Sequence, residues 1–489
     1  MKIQLEQLDL LKPWPQIAMK SGYHSVRVLA YIGSAPLGEV IARPARKGIV
    51  SHRNLRKRIA KKHALTLLRM LAREGLAAGP DALASFPPEA KSSFLLTWSK
   101  WRQTTEWVEQ NLLLPAGIPA PYCNWVTKGQ ADTTYPTPPV TVVVCTRDRH
   151  ETLAGCIEAL KQLDYPQYEI MIVDNSADPL PTREVVEQAG VTYTRVPGKG
   201  LSRARNAALQ LAGTRWVAFT DDDCRPEPNW LRELVRPLQD TNCASVTGLV
   251  LPAGLENAAE ITFEVYGGLG RGYQDKTWDG WALSKSRYRP VETWRMGAGA
   301  NMLIDAPRVM ELGGYDLDLG AGAAAPCSED TDVWYQLLLC WHTIHYTPRA
   351  IVNHHHRSSP EELRKQIYAY AKGHAAYHWR CFWRYRDYRS MLHLAYHLPK
   401  WFIKNARMGM AGKTKYPFSL VFLEVKGTMV GPVVYTLAKA RRVGRAMIDW
   451  ISRPAHRTRA AMGPVAADPV PAPAHYDAVD ARKQSVRVA

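Results

Sequence analysis

A chain of 489 residues, 46% of them hydrophobic, is ordinary for a globular protein, and its length suggests two to four domains. The net charge of +18 is not ordinary and implies a partner carrying negative charge: nucleic acid, an anionic membrane surface or a phosphorylated substrate. The eight cysteines are scattered, with no CxxC pair and no metal-ligand spacing, which argues against a disulfide framework and for reduced thiols in a cytosolic setting.

Residues 1–130 read as a small N-terminal α+β region. The stretch 25–32 alternates as a strand, 33–38 is a turn and 39–42 could pair back as a hairpin. A strongly basic helix follows from Asn54 to about Leu76; its face is either simply solvated or touches phosphates or a membrane surface. The amino terminus has no apolar core of a signal peptide. Residues 131–139, rich in proline, read as the linker that closes this region.

From Val140 the texture changes to alternating strands and helices, the signature of an α/β domain with a mostly parallel sheet. Strands are expected at 140–145, 168–173, 191–196 and 216–220, with helices at 151–163, 184–189 and 201–209. The first strand is a continuous apolar run, as expected of a strand buried on both faces. The last ends abruptly in Asp221, Asp222 and Asp223. Three adjacent like charges repel, and a divalent cation held by carboxylate oxygens relieves that repulsion while carrying substrate phosphates. Taken alone the triplet could be a solvated acidic turn. In open α/β sheets, however, ligands bind outside the carboxyl ends of the strands, which places Thr146, Arg147, Asp174 and Asp221–Asp223 along one rim. That chemistry suits a nucleotide diphosphate: Asp174 could accept from a base or ribose hydroxyl, and Arg203 or Arg205 could meet phosphate.

At these residues the chain resembles the inverting family 2 glycosyltransferases, which have a GT-A fold, a Rossmann-like catalytic domain. Residues 139–147 match the family's opening strand and nucleotide loop, 172–176 its second strand and nucleotide-binding aspartate, 200–206 the helix opening before the metal site, and 219–223 the DxD motif. Further on, Gly299, Ala300 and Asn301 look like the acceptor-side strand, and 327–332 like the ED motif. The resemblance covers roughly residues 138–360. It implies a donor site of Thr146, Arg147, Asp174, Arg203, Arg205, Asn206, Asp221 and Asp222, and a Mg²⁺ or Mn²⁺ ion held by Asp223 and Asp221. The division of metal and ribose contacts within the triplet stays open. It implies Asp330 as the base that takes the acceptor proton, with Glu329 orienting the acceptor. His354 or His356 resembles a third metal ligand or diphosphate contact. Trp294, just before the acceptor strand, lines the sugar pocket or belongs to the core. A helix at 333–341 should follow the ED motif, and the glycine-rich loop 313–322 could close over the acceptor.

Beyond residue 360 the chain turns helical, basic and aromatic. Trp and Tyr mixed with Arg and Lys are what an interfacial membrane helix shows and also what a nucleic-acid platform shows. No uninterrupted apolar run reaches the roughly 20 residues of a spanning helix; the best stretch, 418–438, is broken by Glu424 and Lys426. Residues 361–452 are therefore expected to associate with a membrane surface, and 453–489, rich in Ala and Pro, to be disordered. Together these features predict a cytoplasmic enzyme, peripheral on the inner face of the cell membrane. It would use a nucleotide-sugar donor and a glycan or lipid-linked acceptor in surface polysaccharide assembly, with no nucleic acid as partner. A metal-dependent nucleotidyltransferase shares the sheet and the metal, but residues 145–149 lack its Gly- and Arg-rich loop. A nucleic-acid-binding protein would explain the charge but not the aspartates, and no GxxxxGK[ST] phosphate loop is present.

Overall fold

The computed structural model describes residues 2–44, 48–78, 105–106, 108–110, 112–118, 137–411 and 416–451. The predicted linker lies outside the described residues except for 137–139, and the predicted tail 453–489 lies outside them entirely.

The N-terminal region forms a three-stranded sheet of β1 (Lys2–Asp9), β2 (Tyr23–Ile32) and β3 (Ala35–Ala42), backed by helix α1 (His52–Ala78). The β2–β3 hairpin turns at residues 33–34, so the second strand starts within the stretch expected to be a turn. Strand β1, which pairs parallel to β2, escaped expectation because it alternates poorly and its partner arrives only through a crossover. This region docks on the α/β domain that begins at Val140. Ile3 N–H donates to the Leu255 carbonyl at 2.9 Å, Leu29 packs with Leu249 and Leu251, and Arg27 pairs with Glu264 at 2.7 Å.

The alternating segment folds into β4 (Val140–Thr146), α2 (His150–Lys161), β5 (Tyr168–Asp174), α3 (Leu180–Ala189), β6 (Thr192–Arg195), α4 (Leu201–Leu211) and β7 (Trp216–Asp221). Then come β8 (Cys224–Pro226), α5 (Trp230–Val235), β9 (Cys243–Pro252), α6 (Ala258–Tyr266), β10 (Lys276–Trp278), β11 (Asn301–Asp305), α7 (Ala306–Glu311), α8 (Glu329–Leu339) and β12 (Thr343–His354). All the strands join one sheet in the order β8-β12-β9-β11-β7-β4-β5-β6, with β10 added on β12. The pairs β4–β5, β4–β7, β5–β6 and β9–β12 are parallel. Strand β11 runs antiparallel between β9 and β7. The fold is the expected α/β class with a mostly parallel sheet.

The apolar runs are buried on both faces because helices cover both. Val140, Val142 and Val144 pack with Leu153, Ile157 and Trp230 on one side. Val143 packs with Phe219, Met302 and Trp334 on the other. Helix α3 starts earlier than expected, with Pro181 in its first turn, where a missing N–H costs nothing. Helix α8 begins at Glu329 rather than at residue 333, so both carboxylates of the ED pair lie in its first turn.

The C-terminal region is helical as expected: α9 (Pro360–Tyr385), α10 (Tyr388–Leu392), a π-helical turn at His393–His397, α11 (Leu398–Met410) and α12 (Phe418–Ile451). Helix α12 lies close on α9. A Cβ at Gly427 would stand 2.8 Å from the Tyr368 carbonyl, and one at Gly431 would meet the Lys372 carbonyl. By length and composition 418–444 could cross a membrane, although about a third of its most apolar window is buried within the protein.

Candidate active site

Strands β4, β5 and β7 end together, so their last residues form one rim. Thr146 lies opposite Asp174, and Cys145 opposite Asp221. The three aspartates at this rim have different environments. Asp222 is buried, accepting from Thr146 Oγ1 at 2.7 Å and from Arg149 Nη1 at 2.7 Å. Both its oxygens are taken, so it anchors the turn to β4. Asp221 remains about a third exposed, with Oδ1 3.7 Å from Arg205 Nη2. Asp223 is buried and accepts from Arg149 Nη2 at 2.7 Å through Oδ2, which leaves Oδ1 facing His354 Nε2 at 3.4 Å. Burial pushes Asp221 up to about 6 and Asp222 up to about 7. Burial would also raise Asp223, but His354 and Arg149 hold it below the usual carboxylate range.

A hydrogen-bond relay prepares His354. Its Nδ1 lies 2.9 Å from His356 Nδ1, and His356 Nε2 lies 3.0 Å from Glu264 Oε1. Glu264 Oε2 in turn accepts from Arg27 Nη1 at 2.7 Å. A carboxylate can only accept, so His356 donates through Nε2. Its Nδ1, in the neutral ring, then accepts from His354 Nδ1–H. The His354 Nε2 lone pair is left facing a carboxylate oxygen with no proton between them. Burial pulls the His354 imidazole down to about 4, so the ring is neutral at physiological pH. Two opposed lone pairs, with a third donor atom on Cys224 close by, fit a cation. Burial raises the Cys224 thiol well above its ordinary value, so the oxygen and imidazole ligands suit Mg²⁺ or Mn²⁺ better than a thiophilic metal.

Across the rim, Ser328 adopts φ +71, a left-handed conformation uncommon for a non-glycine residue, and turns the chain into α8. Glu329 is buried and accepts from Arg205 Nη1 at 2.8 Å. Burial, reinforced by the Asp330 charge and opposed by Arg205, raises Glu329 to about 7. Asp330 is partly exposed. Its Oδ1 accepts from the Thr331 N–H at 2.6 Å, and a Cβ at Gly299 would stand 3.1 Å from Oδ2. That oxygen therefore looks onto bare backbone. Arg205, buried, joins the two halves: it holds Glu329, donates to the Gly299 carbonyl at 3.1 Å and approaches Asp221.

Residues 141–276 match the family model described as "Glycosyl transferase family 2". They form a family 2 glycosyltransferase domain. Over 251 residues the chain is 26% identical to the pre-mycofactocin glycosyltransferase of Mycobacterium tuberculosis, a match covering 49% of each. It is 28% identical over 121 residues to glycosyltransferase AglE of Haloferax volcanii, covering 23% of this chain and 40% of that one. The chain thus spans about half the length, or less, of these curated relatives. Among solved structures it is similar to a mannosyltransferase of Pyrobaculum calidifontis in complex with GDP-Man and Mn²⁺, at 17% identity and TM-score 0.36, covering 66% of this chain and 81% of that one.

Several residues expected in the site of this glycosyltransferase domain are held by other contacts. Asp174 is fully buried, accepting from Tyr193 Oη at 2.7 Å and from the Ser176 N–H at 2.8 Å, with Arg195 at 3.3 Å. Arg147 donates to the Asn175 carbonyl at 2.8 Å. Arg203 is exposed at the start of α4. Asn206 holds the Tyr315 backbone from both sides, at 2.9 and 2.7 Å. Asn301 is fully buried, accepting from Trp230 Nε1 at 2.8 Å and donating to the Leu249 and Ala350 carbonyls at 3.0 and 2.9 Å. Ala300 is buried beside it. Trp294, half-buried, stands edge-on to His374 at 4.8 Å between ring centres.

The glycine-rich loop is pinned rather than free. Asp316 accepts from Tyr435 Oη at 2.7 Å and from Lys439 Nζ at 2.8 Å, and a Cβ at Gly320 would stand 2.8 Å from Ser202 Oγ.

Three residues join the site from outside the motifs, Arg149, Glu264 and Arg271, while His356, one of the two histidines expected as a ligand, bonds to His354 and Glu264. Arg271 donates to the carbonyls of Trp294, Gly268 and Gly270. Burial lowers its pKa, and the Asp330 charge is the foremost influence opposing this. Only the HxH spacing of His354 and His356 carried a local signal. The other three are single charges whose partners lie far along the chain.

Proposed function

We propose that this protein is an inverting glycosyltransferase that moves a sugar from a nucleotide-diphosphate donor to a hydroxyl of a glycan or lipid-linked acceptor in surface polysaccharide assembly. The observation that carries this reading is the pair of carboxylate sites joined by Arg205: Asp221 and Asp223 on one side, Glu329 and Asp330 on the other. Asp223 and His354, with Asp221 beside them, would hold Mg²⁺ or Mn²⁺, which when bound supplies Lewis-acid neutralisation of the leaving diphosphate. Asp330 Oδ2 accepts the proton of the acceptor hydroxyl as its oxygen bonds to the anomeric carbon and the bond to the diphosphate breaks. Glu329 and Arg205, hydrogen-bonded to each other, keep the base at a set distance from Asp221. Thr146 and Asp222 hold the turn between the donor rim and the metal ligands. Asp174, whose carboxylate is taken by Tyr193, Arg195 and the Ser176 N–H, stiffens the end of β5 beside which the base or ribose would lie.

Membrane contact is supported by α12. Phe418, Phe422, Met429, Val433 and Leu437 are all more than half exposed and recur at helical spacing on one face. In α11 and its approach, Tyr396, Ile403 and Met410 are likewise exposed. Such a surface, set among Lys and Arg, suits peripheral binding to an anionic cytoplasmic membrane face.

The experiment is a nucleotide-sugar panel with Mn²⁺, comparing wild type with Asp223→Ala and Asp330→Asn. Asp223→Ala should lose metal-dependent transfer and donor hydrolysis. Asp330→Asn should bind donor normally and lose transfer. Full activity in Asp223→Ala, or joint loss of binding and transfer in Asp330→Asn, would overturn the assignment.

A further inference from the structure

The helical region holds a second cluster of side chains with metal-binding chemistry, which the glycosyl-transfer reading does not use. His374 and His378 lie one turn apart on α9, at the i, i+4 spacing that places both on one face. His393 comes from the following segment, at the first position of the π-helical turn. Such turns are rare and recur at functional sites; here the turn carries His393 against α9. Each histidine offers a ring nitrogen, and the three nitrogens lie within 4.8 Å of one another. His374 Nε2 and His393 Nε2 are 3.0 Å apart.

The cluster is not satisfied by its own hydrogen bonds. His378 is fully buried. Its Nδ1 meets Ser390 Oγ at 3.2 Å, while its Nε2 has no partner among the described residues. A buried polar atom without a partner is costly. Moreover, His374 and His393 meet through the same nitrogen type, so one must spend its only ring proton on the other. A cation would satisfy all three lone pairs together. Burial supports this by holding the imidazoles neutral: His374 is pulled down to about 4 and His393 to about 2.

We propose that His374, His378 and His393 form a second divalent-metal site, of the zinc class, apart from the Asp223–His354 site. Three imidazoles without a carboxylate or thiolate suit zinc and its borderline-soft neighbours rather than Mg²⁺ or Ca²⁺. Zinc–nitrogen bonds of about 2.0–2.1 Å in a tetrahedron put the nitrogens roughly 3.3–3.4 Å apart. The His374–His393 pair would open slightly and His378 would move in. Ser390 supplies the outer hydrogen bond that fixes a ligand ring. Trp294 packs against all three rings at 4.8–5.3 Å between centres, edge-on to His374 and His378 and tilted against His393, and closes one side. The ion would clasp the π-helical turn to α9 and, through Trp294, to the segment leading into β11.

The test uses the full chain carrying Asp223→Ala, so that the first site is disabled. After metal removal it is loaded with Co²⁺ and then Zn²⁺. The expected result is one tightly bound equivalent, intense visible absorption of tetrahedral Co²⁺ bleached by Zn²⁺, and a higher melting temperature with zinc. Adding His393→Asn or His378→Ala should abolish the absorption and that equivalent. If either variant fails to fold by circular dichroism, the other is decisive. If both fail, the Co²⁺ spectrum of the parent decides. Absence of the tetrahedral spectrum, or an unchanged stoichiometry in folded His393→Asn, would overturn the proposal.

Discussion

Glu264→Gln exchanges one atom far from the rim, yet it should weaken metal binding at His354. Arg27 donates to Glu264 Oε2 at 2.7 Å and to Glu39 through Nε at 2.7 Å. A glutamine at 264 must therefore turn its carbonyl oxygen toward Arg27, because its amide N–H₂ would face guanidinium protons. The amide then points at His356 Nε2 and donates where the carboxylate accepted. His356 must accept there, carry its proton on Nδ1 and donate to His354 Nδ1. The last proton moves to His354 Nε2, which now presents an N–H toward Asp223 Oδ1 in place of a lone pair. Loss of an outer hydrogen bond to a metal ligand costs 10–100-fold in affinity, or about 1.4–2.7 kcal/mol. Because this change also inverts the tautomer, the upper end of that range is expected. The assay is a Mn²⁺ titration followed by electron paramagnetic resonance, with a urea melt as control for folding. Removing Arg27 as well (Arg27→Met) frees the glutamine to rotate and should restore part of the affinity. Mn²⁺ affinity in Glu264→Gln within twofold of wild type would refute the relay.

Three further outcomes follow from the same geometry. Glu329 sits near 7 in the folded protein against 4.5 for the free side chain. Its stabilising effect is fully present below pH about 4.5 and is lost as pH rises through 7, by up to roughly 3 kcal/mol. Urea melts without metal at about pH 5 and about pH 9 should therefore show wild type losing stability relative to Glu329→Gln; a gap independent of pH would refute this. Asn301→Ala strands the Trp230 N–H and two strand carbonyls, and should cost about 3 kcal/mol or more in a denaturant melt. Phe422→Glu with Met429→Glu should release the protein from anionic vesicles in a flotation assay while leaving its melting temperature within a few degrees; undiminished flotation would remove α12 from the membrane contact.

The order of strands and helices, the common rim and the two carboxylate motifs were legible in the residues, because each rests on local pattern. Continuous apolar runs mark doubly covered strands, and the ends of parallel strands lie together whatever the rest of the chain does. The roles within the motifs were not legible. Asp221, Asp222 and Asp223 are identical as letters, and only the tertiary structure turns one toward Thr146 and Arg149, leaves one partly exposed beside Arg205 and sets one against His354. Asn301 sits in the strand whose resemblance marked it for the acceptor, yet its side chain ties β9, β11 and β12 together. Arg27 and Glu264 lie 237 residues apart, and no local pattern marks either as the far end of a proton relay. The residues by themselves determined which chemistry could assemble at the strand ends. Burial and long-range hydrogen bonds decided which oxygen of which aspartate is free to take part, because those depend on neighbours that only folding brings within 3 Å.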